Sequence, residues 1–278
     1  MVLLDLIRAA IKEDMPNGDI TTESLALGPR HGRAKLLAKQ DLILSGNVAF
    51  EQTVHSLDPG AKLKWHFEEG DKVLKMQILC TIQGDLIQLL KAERVGLNFL
   101  MHLSGISTFT NKFVTIVHPF GTKILDTRKT LPGYRDLEKR AVVHGGALNH
   151  RMNLSTAILV KDNHIAVLGG IEAAVKRIRA HTHLPIEVEA RTLAEVKECV
   201  DLQVDRILLD NMNNDLLEKS VKIIPPGIAT EASGNMTLER VQSVAQVGVH
   251  YISVGALTHS APSADISLDF DWRTINEI

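Results

Sequence analysis

The stretch PIEVEARTLAEVKECVDLQVDRILLDN, residues 185–211, contains a complete strand–helix–strand pattern. Its two ends, PIEVEA and RILLDN, are short apolar runs, and TLAEVKECVDL between them has the apolar spacing of an amphipathic helix. Two short strands joined by a helix predict a parallel pair, because the crossover helix returns the chain to the same end of the sheet. The Ile, Leu and Val content indicates strands that are covered on both faces.

The same alternation continues on both sides of this stretch, from residue 121 to about residue 260. The other apolar runs are TKIL, TAILVKD, GIATEAS and YISVGA, and helical patterns such as GIEAAVKRIRA and LERVQSVAQVG separate the later ones. Because only about six strands can be identified, we expect an incomplete α/β barrel rather than eight regular units.

Three acidic residues recur at a fixed spacing within this region. Glu189, Asp210 and Glu231 are 21 residues apart, and each lies near the end of its apolar run. A regular repeat predicts that they share one rim of the barrel, where βα barrels carry their chemistry. Lys161 ends the earlier run ILVKDNH and is expected at the same rim.

The chain before residue 121 has a different pattern. Residues 3–13 have a helical apolar face, and residues 32–86 contain short β-type runs separated by glycines. A long helical pattern follows, with a predicted break at Ser104-Gly105. We interpret this part as a strand-rich domain that precedes the barrel.

The composition and the amino-terminal residues bear on the partners and the location of the protein. The 278 residues are 45% hydrophobic and carry a net charge of −2, so nothing general indicates a nucleic acid or a membrane as partner. Cys80 and Cys199 are isolated cysteines, which is typical of a reducing compartment. The amino-terminal MVLLDLIRAAIKED lacks a basic region before its apolar residues, so we predict no signal peptide, no membrane span and a cytoplasmic location.

Cations are concentrated between residues 121 and 164, which contain eight Lys or Arg against four Asp or Glu. A solvated helix face with i,i+4 charge pairs accounts for Arg135, Asp136, Glu138, Lys139 and Arg140. It does not account for the cations outside the helical part, which are Arg128, Lys129, His150, Arg151 and Lys161. Converging cations are tolerated where a ligand is polyanionic, and arginine suits bidentate contacts with carboxylate or phosphate.

The acids and Lys161 leave alternatives open. Glu189 and Asp210 can form a divalent-metal site, stabilise a developing cation directly, or pair with the nearby cations. Lys161 can form a Schiff base, as in an aldolase, or bind an anion; the neighbouring arginines favour the anion.

Two adjacent strand ends indicate a phosphate site. In EASGNMTLER, residues 231–240, a strand ends, Ser-Gly-Asn turns, and a helix begins near Thr237. Backbone N–H groups at a helix start bind phosphate. VGALTHS, residues 254–260, supplies a second glycine at the next strand end, and barrels often hold phosphate between such late loops.

Taken in order, these motifs resemble the quinolinate phosphoribosyltransferase family, also called nicotinate-nucleotide pyrophosphorylase (carboxylating). The matching segments are EDMPNGDITTE, ERVGLNFLMHLSGIST, DTRKTLPGYRDLEKRAVVHGGALNHR, ILVKDNHI, IEVEA, ILLDNM, EASGN and ISVGALTHS, and they span nearly the whole chain. The resemblance implies an α/β fold with an amino-terminal α/β sandwich domain, residues 1–108 joined by 265–278. It implies an open α/β barrel of the type II phosphoribosyltransferase kind over residues 109–264.

The resemblance also implies a reaction and a cofactor. Members of this family transfer the phosphoribosyl group of phosphoribosyl pyrophosphate to quinolinate with Mg²⁺, giving nicotinate mononucleotide, pyrophosphate and CO₂ in NAD biosynthesis. They form homodimers whose active sites are shared between chains, and some members assemble into hexamers.

Site residues follow motif by motif. The resemblance implies quinolinate binding by Arg128, His150, Arg151 and Lys161, with Arg94 supplied by the partner chain. It implies that Lys129, Glu189 and Asp210 act at the sugar and its diphosphate, the two acids holding metal directly or through water and diphosphate. The implied 5′-phosphate site consists of Ser233, Gly234, Asn235, Gly255 and His259. Asn235 stands where many members have glycine.

Three functions stay open on the sequence alone. The quinolinate enzyme is favoured by the complete NHR and VKDNH motifs. A relative such as the molybdenum-operon homologue would act on another acceptor. A catalytically silent phosphosugar-binding protein is disfavoured, because binding anions does not require Glu189 and Asp210. The proton donor after decarboxylation is either Lys161 or His150.

Overall fold

The computed structural model describes residues 3–274. In chain order its elements are α1 (Leu3–Asp14), α2 (Ile20–Ser24), β1 (His31–Ala38), β2 (Leu42–Ile43), α3 (Asn47–Leu57), β3 (Lys62–Trp65), β4 (Lys72–Val73), β5 (Ile78–Asp85), α4 (Leu86–Val117), β6 (Lys123–Leu125), α5 (Arg135–His144), β7 (Ile158–Val160), α6 (Asp162–Leu168), α7 (Ile171–Arg179), β8 (Ile186–Ala190), α8 (Leu193–Asp201), β9 (Arg206–Asp210), α9 (Asn214–Ile223), β10 (Ala229–Ser233), α10 (Leu238–Gln246), β11 (Tyr251–Ser253), α11 (Ala256–His259) and β12 (Ile266–Asp271). No helical segment among the described residues combines the length and apolar character that a bilayer span needs.

These elements form two compact units. The described part of the first unit is residues 3–111, 131–146 and 261–274, and the second unit is residues 112–130 and 147–260. The predicted domains, 1–108 with 265–278 and 109–264, differ from these units chiefly at residues 131–146. Residues 1–2 and 275–278 of the predicted first domain lie outside the described residues.

The first unit is built around an antiparallel sheet of four strands, in the order β12-β1-β5-β3. β1 alternates exposed and buried residues, so that Ala34, Leu36 and Ala38 face the core. Phe50 of α3 and Leu86 of α4 belong to the same buried cluster. β12 pairs with β1 along its length, which brings a strand from the predicted 265–278 segment into this sheet.

The predicted break at Ser104-Gly105 is wrong, because α4 continues through it. A Cβ at Gly105 would lie 2.2 Å from the carbonyl oxygen of Pro262, so the glycine serves a close approach rather than a helix end. The Ser104 hydroxyl donates a hydrogen bond to the Ser45 carbonyl at 2.9 Å. Both residues are therefore explained by packing against neighbouring backbone.

Residues 131–146 belong to the first unit because α5 and its preceding turn pack there. The Tyr134 ring stacks on Phe99 with 5.6 Å between ring centroids. Nε2 of His102 lies 2.9 Å from Oε1 of Glu138, which is fully buried. These contacts are between residues far apart in sequence, so no local pattern reveals them.

The solvated helix face predicted for α5 is correct for one charge pair and wrong for two residues. Arg140 is exposed and lies 2.9 Å from Asp136, an i,i+4 pair. Glu138 and Lys139 are instead buried, with 0% and 1% of their surfaces exposed. A charge pattern that is typical of solvent-facing helices thus contains two side chains that the fold encloses.

The second unit confirms the predicted incomplete barrel. Its six strands are parallel and pair in the order β6-β11-β10-β9-β8-β7. Among the described residues β6 and β7 do not pair with each other, so the sheet is open. The helices between its strands follow the alternation of the sequence, and parallel strands bring their carboxyl ends to one edge.

Glu231 lines the same cavity as Glu189 and Asp210, as the predicted shared rim requires, but it is fully buried. β8, β9 and β10 begin at residues 186, 206 and 229, so the intervals are 20 and 23 residues rather than 21. Asp210 is the last residue of β9, whereas Glu231 is the third of five in β10 and is fully buried. Glu231 therefore lies deeper in the unit than the two acids.

Candidate active site

The carboxyl ends of the parallel strands in the second unit border a cavity of about 770 Å³. All but one of the predicted site residues line it: Arg128, Lys129, His150, Arg151, Lys161, Glu189, Asp210, Ser233, Gly234, Asn235, Gly255 and His259. The exception is Arg94. One cavity therefore contains the predicted cations, the predicted acids and the predicted phosphate turns.

Lys129 follows β6 and extends beside the turn after β11. Its carbonyl accepts a hydrogen bond from the Thr258 hydroxyl at 2.8 Å. A Cβ at Gly255 would lie 3.0 Å from Cδ of Lys129. Glycine at this position therefore leaves the space that the lysine side chain crosses.

His150 and Arg151 precede β7 and are held through their backbone. The His150 N–H donates to Oδ1 of Asp126 at 2.7 Å, and the Arg151 N–H donates to Nδ1 of His150 at 2.7 Å. Burial lowers the pKa of Arg151, and the nearby charge of Arg128 lowers it further. Two guanidinium groups this close favour a ligand with more than one negative charge.

Below these residues lies a group that we call the inner layer: His150, Glu187, Arg206 and Glu231. Nε2 of His150 is 3.2 Å from Oε2 of Glu187 and 3.7 Å from Oε1 of Glu231. Nη1 of Arg206 is 3.0 Å from Oε2 of Glu231, and its guanidinium lies 4.4 Å from the centroid of the Tyr251 ring. Because Nδ1 of His150 already accepts a hydrogen bond, the imidazole carries its proton on Nε2, facing the acids.

Within the inner layer, the environment of Glu231 disfavours its ionised form. Burial, followed by the charge of Glu187, raises the pKa of Glu231 to about 7. Glu187 and Arg206 are not among the site residues that the motifs predicted. The alternation in IEVEA was the available signal, because residues two apart on a strand share a face and Glu187 therefore follows Glu189 inward.

At the mouth of the cavity lies a second group, which we call the rim cluster: Asp162, Glu189, Arg191 and Asp210. Nη2 of Arg191 is 2.9 Å from Oε1 of Glu189 and 2.9 Å from Oδ2 of Asp162. Its Nε is 3.3 Å from Oδ2 of Asp210. The acids are thus paired with a cation that the sequence analysis did not consider, although it stands only two residues after Glu189.

The rim cluster has the chemistry of a divalent-metal site. Burial, followed by the charge of Asp210, raises the pKa of Glu189. Carboxylate oxygens from three strand ends converge on one positive group, and hard cations such as Mg²⁺ take oxygen ligands of this kind. Glu189 and Asp210 fit the predicted cation, with Asp162 as a third acid within reach of the same guanidinium.

The predicted phosphate turn joins β10 to α10. Gly234 and Asn235 both have left-handed backbone, with φ of 102° and 49°. A Cβ at Gly234 would lie 2.2 Å from Oδ1 of Asn211, so glycine is required there. Asparagine tolerates a positive φ, which explains its presence after Ser233-Gly234.

Arg240 and Thr237 hold this turn, and the sequence analysis assigned neither of them. The two terminal nitrogens of the Arg240 guanidinium donate to the carbonyls of Gly234 and Met212, each at 2.7 Å. Thr237 caps α10 by accepting a hydrogen bond from the Arg240 N–H. A helix of nine residues therefore begins at the cavity with its N-terminus fixed.

Arg94 lies on α4 in the first unit. Its side chain is 64% exposed, and its nearest acidic neighbour is Glu93 at 3.9 Å. Arg94 is not among the residues that line the cavity.

Two family models match consecutive parts of the sequence. Residues 19–104 match the quinolinate phosphoribosyl transferase N-terminal domain, and residues 106–269 match the C-terminal domain of the same family. The chain is 39% identical to quinolinate phosphoribosyltransferase (decarboxylating) 2b, mitochondrial, of Nicotiana tabacum, covering 99% of this chain and 84% of that protein. It is 39% identical to the chloroplastic nicotinate-nucleotide pyrophosphorylase (carboxylating) of Arabidopsis thaliana, covering 98% and 84%.

Solved structures agree with the sequence match. The nicotinate-nucleotide pyrophosphorylase of Francisella tularensis superposes with a TM-score of 0.93 at 34% identity, covering 97% of this chain and 96% of that one. The fold that the motifs implied, a sandwich domain with an open barrel, is confirmed. Both the sequence and the structure thus show that this chain belongs to the quinolinate phosphoribosyltransferase family.

Proposed function

We propose that this chain transfers the phosphoribosyl group of phosphoribosyl pyrophosphate to quinolinate, with loss of CO₂, in de novo NAD biosynthesis. The observation that carries the proposal is the cavity of the second unit, which brings a cationic wall, an acidic rim and a glycine turn at a helix start into one space. These are the three features that a planar dianion, a metal-bound diphosphate and a sugar phosphate require.

The cationic wall suits quinolinate. Arg128, His150, Arg151 and Lys161 line the same cavity, and quinolinate presents two adjacent carboxylates on a rigid ring. Fixed guanidinium groups hold a planar dianion in one orientation, because each can bond a carboxylate through two N–H groups. This orientation presents the ring nitrogen to the anomeric carbon of the sugar.

Glu189, Asp210 and Lys129 suit the sugar and its leaving diphosphate. Transfer at an anomeric carbon passes through an oxocarbenium-like transition state, which carboxylates stabilise. Glu189 and Asp210 would hold Mg²⁺, which would supply positive charge to the leaving diphosphate. Lys129, which extends beside Gly255, adds a second positive charge for the leaving group.

Ser233, Gly234, Asn235, Gly255 and His259 suit the 5′-phosphate. The first three form the left-handed turn before α10, whose N-terminus favours an anion. Gly255 and His259 flank the cavity from the next strand end. Both strand ends border the cavity that the cationic wall also lines.

Decarboxylation leaves a carbanion that must be protonated, and the geometry favours Lys161 as donor. Nδ1 of His150 accepts the Arg151 N–H, and Nε2 faces Glu187. Lys161 is exposed at the end of β7 and lines the cavity. The Schiff-base alternative is disfavoured, because Lys161 interacts electrostatically with Asp162 and Glu189 rather than lying in an apolar pocket.

We further propose a homodimer in which Arg94 of one chain completes the site of its partner. The exposure of Arg94 supports this arrangement, and hexamers would be assemblies of such dimers. A cytoplasmic location stays a prediction, since the names of the two plant relatives specify two different organelles.

The test is an assay of purified protein with quinolinate, phosphoribosyl pyrophosphate and Mg²⁺, in which CO₂ release and nucleotide formation are measured together. We expect equal amounts of both products. Nicotinic acid, which lacks one carboxylate, should have a kcat/KM at least roughly a hundredfold lower, because it offers the cationic wall one carboxylate fewer to bind. Comparable rates for nicotinic acid would favour a relative with another acceptor, and binding of phosphoribosyl pyrophosphate without turnover would favour a silent binding protein.

A further inference from the structure

The rim cluster contains a cation that neither the motifs nor the proposed reaction assigns. Arg191 contacts acids that come from three different strand ends, namely Asp162 after β7, Glu189 on β8 and Asp210 at the end of β9. A guanidinium that reaches all three lies where a divalent cation bound by Glu189 and Asp210 would have to lie.

The backbone of Arg191 is held by a hydrogen bond, whereas its half-exposed side chain is held by ion pairs with the rim acids. The Arg191 N–H donates to Oε2 of Glu195 at 2.6 Å, and the next residue, Thr192, caps α8. The side chain is 50% exposed, and the three contacts just described are with the rim acids. The guanidinium can therefore leave the acids by rotation about its own side-chain bonds, without movement of the strand or the helix.

The charges of the rim cluster favour a bound cation that another cation can replace. The side chains of Glu189 and Asp210 are 8% and 14% exposed and lie against one guanidinium, so these two carboxylates require a counter-ion. Contacts made by a half-exposed arginine are weak, since solvent screens them and the long side chain loses freedom in making them. A divalent cation carries twice the charge and replaces the guanidinium when its own ligands are complete.

We propose that Arg191 is an internal counter-cation that occupies the metal position of the free enzyme and makes the binding of a free divalent cation weak. Metal binding is thereby coupled to phosphoribosyl pyrophosphate, whose diphosphate supplies the further oxygen ligands needed to displace Arg191. The inference rests on the proposed role of Glu189 and Asp210 as the metal site.

The test is a titration of the full chain with Mn²⁺, in which the electron paramagnetic resonance signal of free Mn²⁺ is measured with and without phosphoribosyl pyrophosphate. Quinolinate is omitted, so that no turnover occurs. Arg191→Gln removes the charge, Arg191→Lys keeps the charge with a single donor group, and Arg177→Gln is a matched control on α7, where the arginine is exposed.

Without phosphoribosyl pyrophosphate, Arg191→Gln should bind Mn²⁺ roughly tenfold more tightly than wild type, which is within the usual range of coupling between two ligands. Arg191→Lys should lie between the two, and Arg177→Gln should equal wild type. With phosphoribosyl pyrophosphate present, the difference between wild type and Arg191→Gln should shrink. The graded lysine variant preserves the test if the glutamine variant does not fold.

Two outcomes contradict the inference in distinguishable ways. Equal Mn²⁺ affinity in wild type, Arg191→Gln and Arg191→Lys, together with loss of binding in Asp210→Asn, would overturn the role of Arg191. This result would leave the metal site of the proposed function intact. Mn²⁺ affinity that is unchanged by Glu189→Gln and by Asp210→Asn would overturn both, because the ion would then bind elsewhere.

Discussion

The rim cluster and the inner layer are made from the same parts, carboxylates held by one arginine, yet they differ in burial. In the inner layer Glu231 is fully buried, and the side chain of its partner Arg206 is 29% exposed and covers the Tyr251 ring. In the rim cluster the arginine is 50% exposed and Asp162 is 44% exposed. The first arrangement is a fixed part of the barrel interior, whereas the second is an ion pair that solvent can compete for.

This difference assigns different tasks to acids that the sequence spacing had grouped together. Glu231 lies beneath His150 and contacts Arg206, and so it supports the cationic wall from within. Glu189 and Asp210 line the cavity and belong to the rim cluster, which is the proposed metal site. The following predictions test whether the two groups behave as differently as their burial indicates.

The largest expected effect is on stability in the inner layer. Glu231→Ala should lower the free energy of unfolding by roughly 3–5 kcal/mol, because it leaves Arg206 without its buried partner. Urea denaturation of the purified chain is the measurement. Asp162→Ala in the rim cluster is the control and should unfold close to wild type; equal losses in both variants would remove the distinction between the groups.

Glu189→Gln should lower activity rather than stability. Its kcat should fall roughly 100- to 1,000-fold, the usual cost of removing one charge that stabilises a transition state, while its midpoint of urea unfolding changes little. Steady-state kinetics with saturating substrates is the measurement. Glu218→Gln, at an exposed carboxylate on α9, is the matched control and should keep wild-type kcat. A Glu189→Gln enzyme with normal kcat would show that the rim cluster takes no part in the reaction.

A residue from a second chain can reach the exposed rim cluster, whereas it cannot reach the buried inner layer. Arg94→Ala and Lys161→Ala should each be inactive, and a mixture that exchanges subunits should recover roughly a quarter of wild-type activity in a closed two-fold dimer. Differently tagged chains report whether exchange has occurred. Heterodimers that form but stay inactive would show that Arg94 does not act across an interface.

The sequence predicted the open sheet well because buried parallel strands are read from short Ile, Leu and Val runs, one at a time. It also predicted most of the residues that line the cavity, since the strand ends of a parallel sheet share an edge. It failed at Gly105 and at Lys139, and it did not predict the full burial of Glu231, because these outcomes depend on packing against other segments. It missed Arg191 because side-chain rotation, not strand register, places that guanidinium on the acids.

The smallest expected effect is a pH dependence. The raised pKa of Glu231, about 7 against 4.5, means that the folded chain binds a proton more tightly than the unfolded chain, so this residue contributes less stability as pH rises from about 4.5 to 7. Glu231→Gln removes this contribution. The Tm of the variant relative to wild type should therefore rise by a few degrees between pH 5 and pH 8. A constant difference across this range would show that Glu231 is ionised throughout.

The most direct test of the account is to locate the metal. His150, Glu187 and Glu231 bring potential ligand atoms within 4.8 Å of one another, so the inner layer is the competing position. A crystal of the chain with Mn²⁺ and a non-reactive analogue of phosphoribosyl pyrophosphate, measured at an anomalous wavelength, distinguishes the two. We predict a Mn²⁺ peak at the rim cluster, beside Glu189 and Asp210, with the Arg191 guanidinium turned away from both. A peak among His150, Glu187 and Glu231, with Arg191 still on its three acids, would contradict the account.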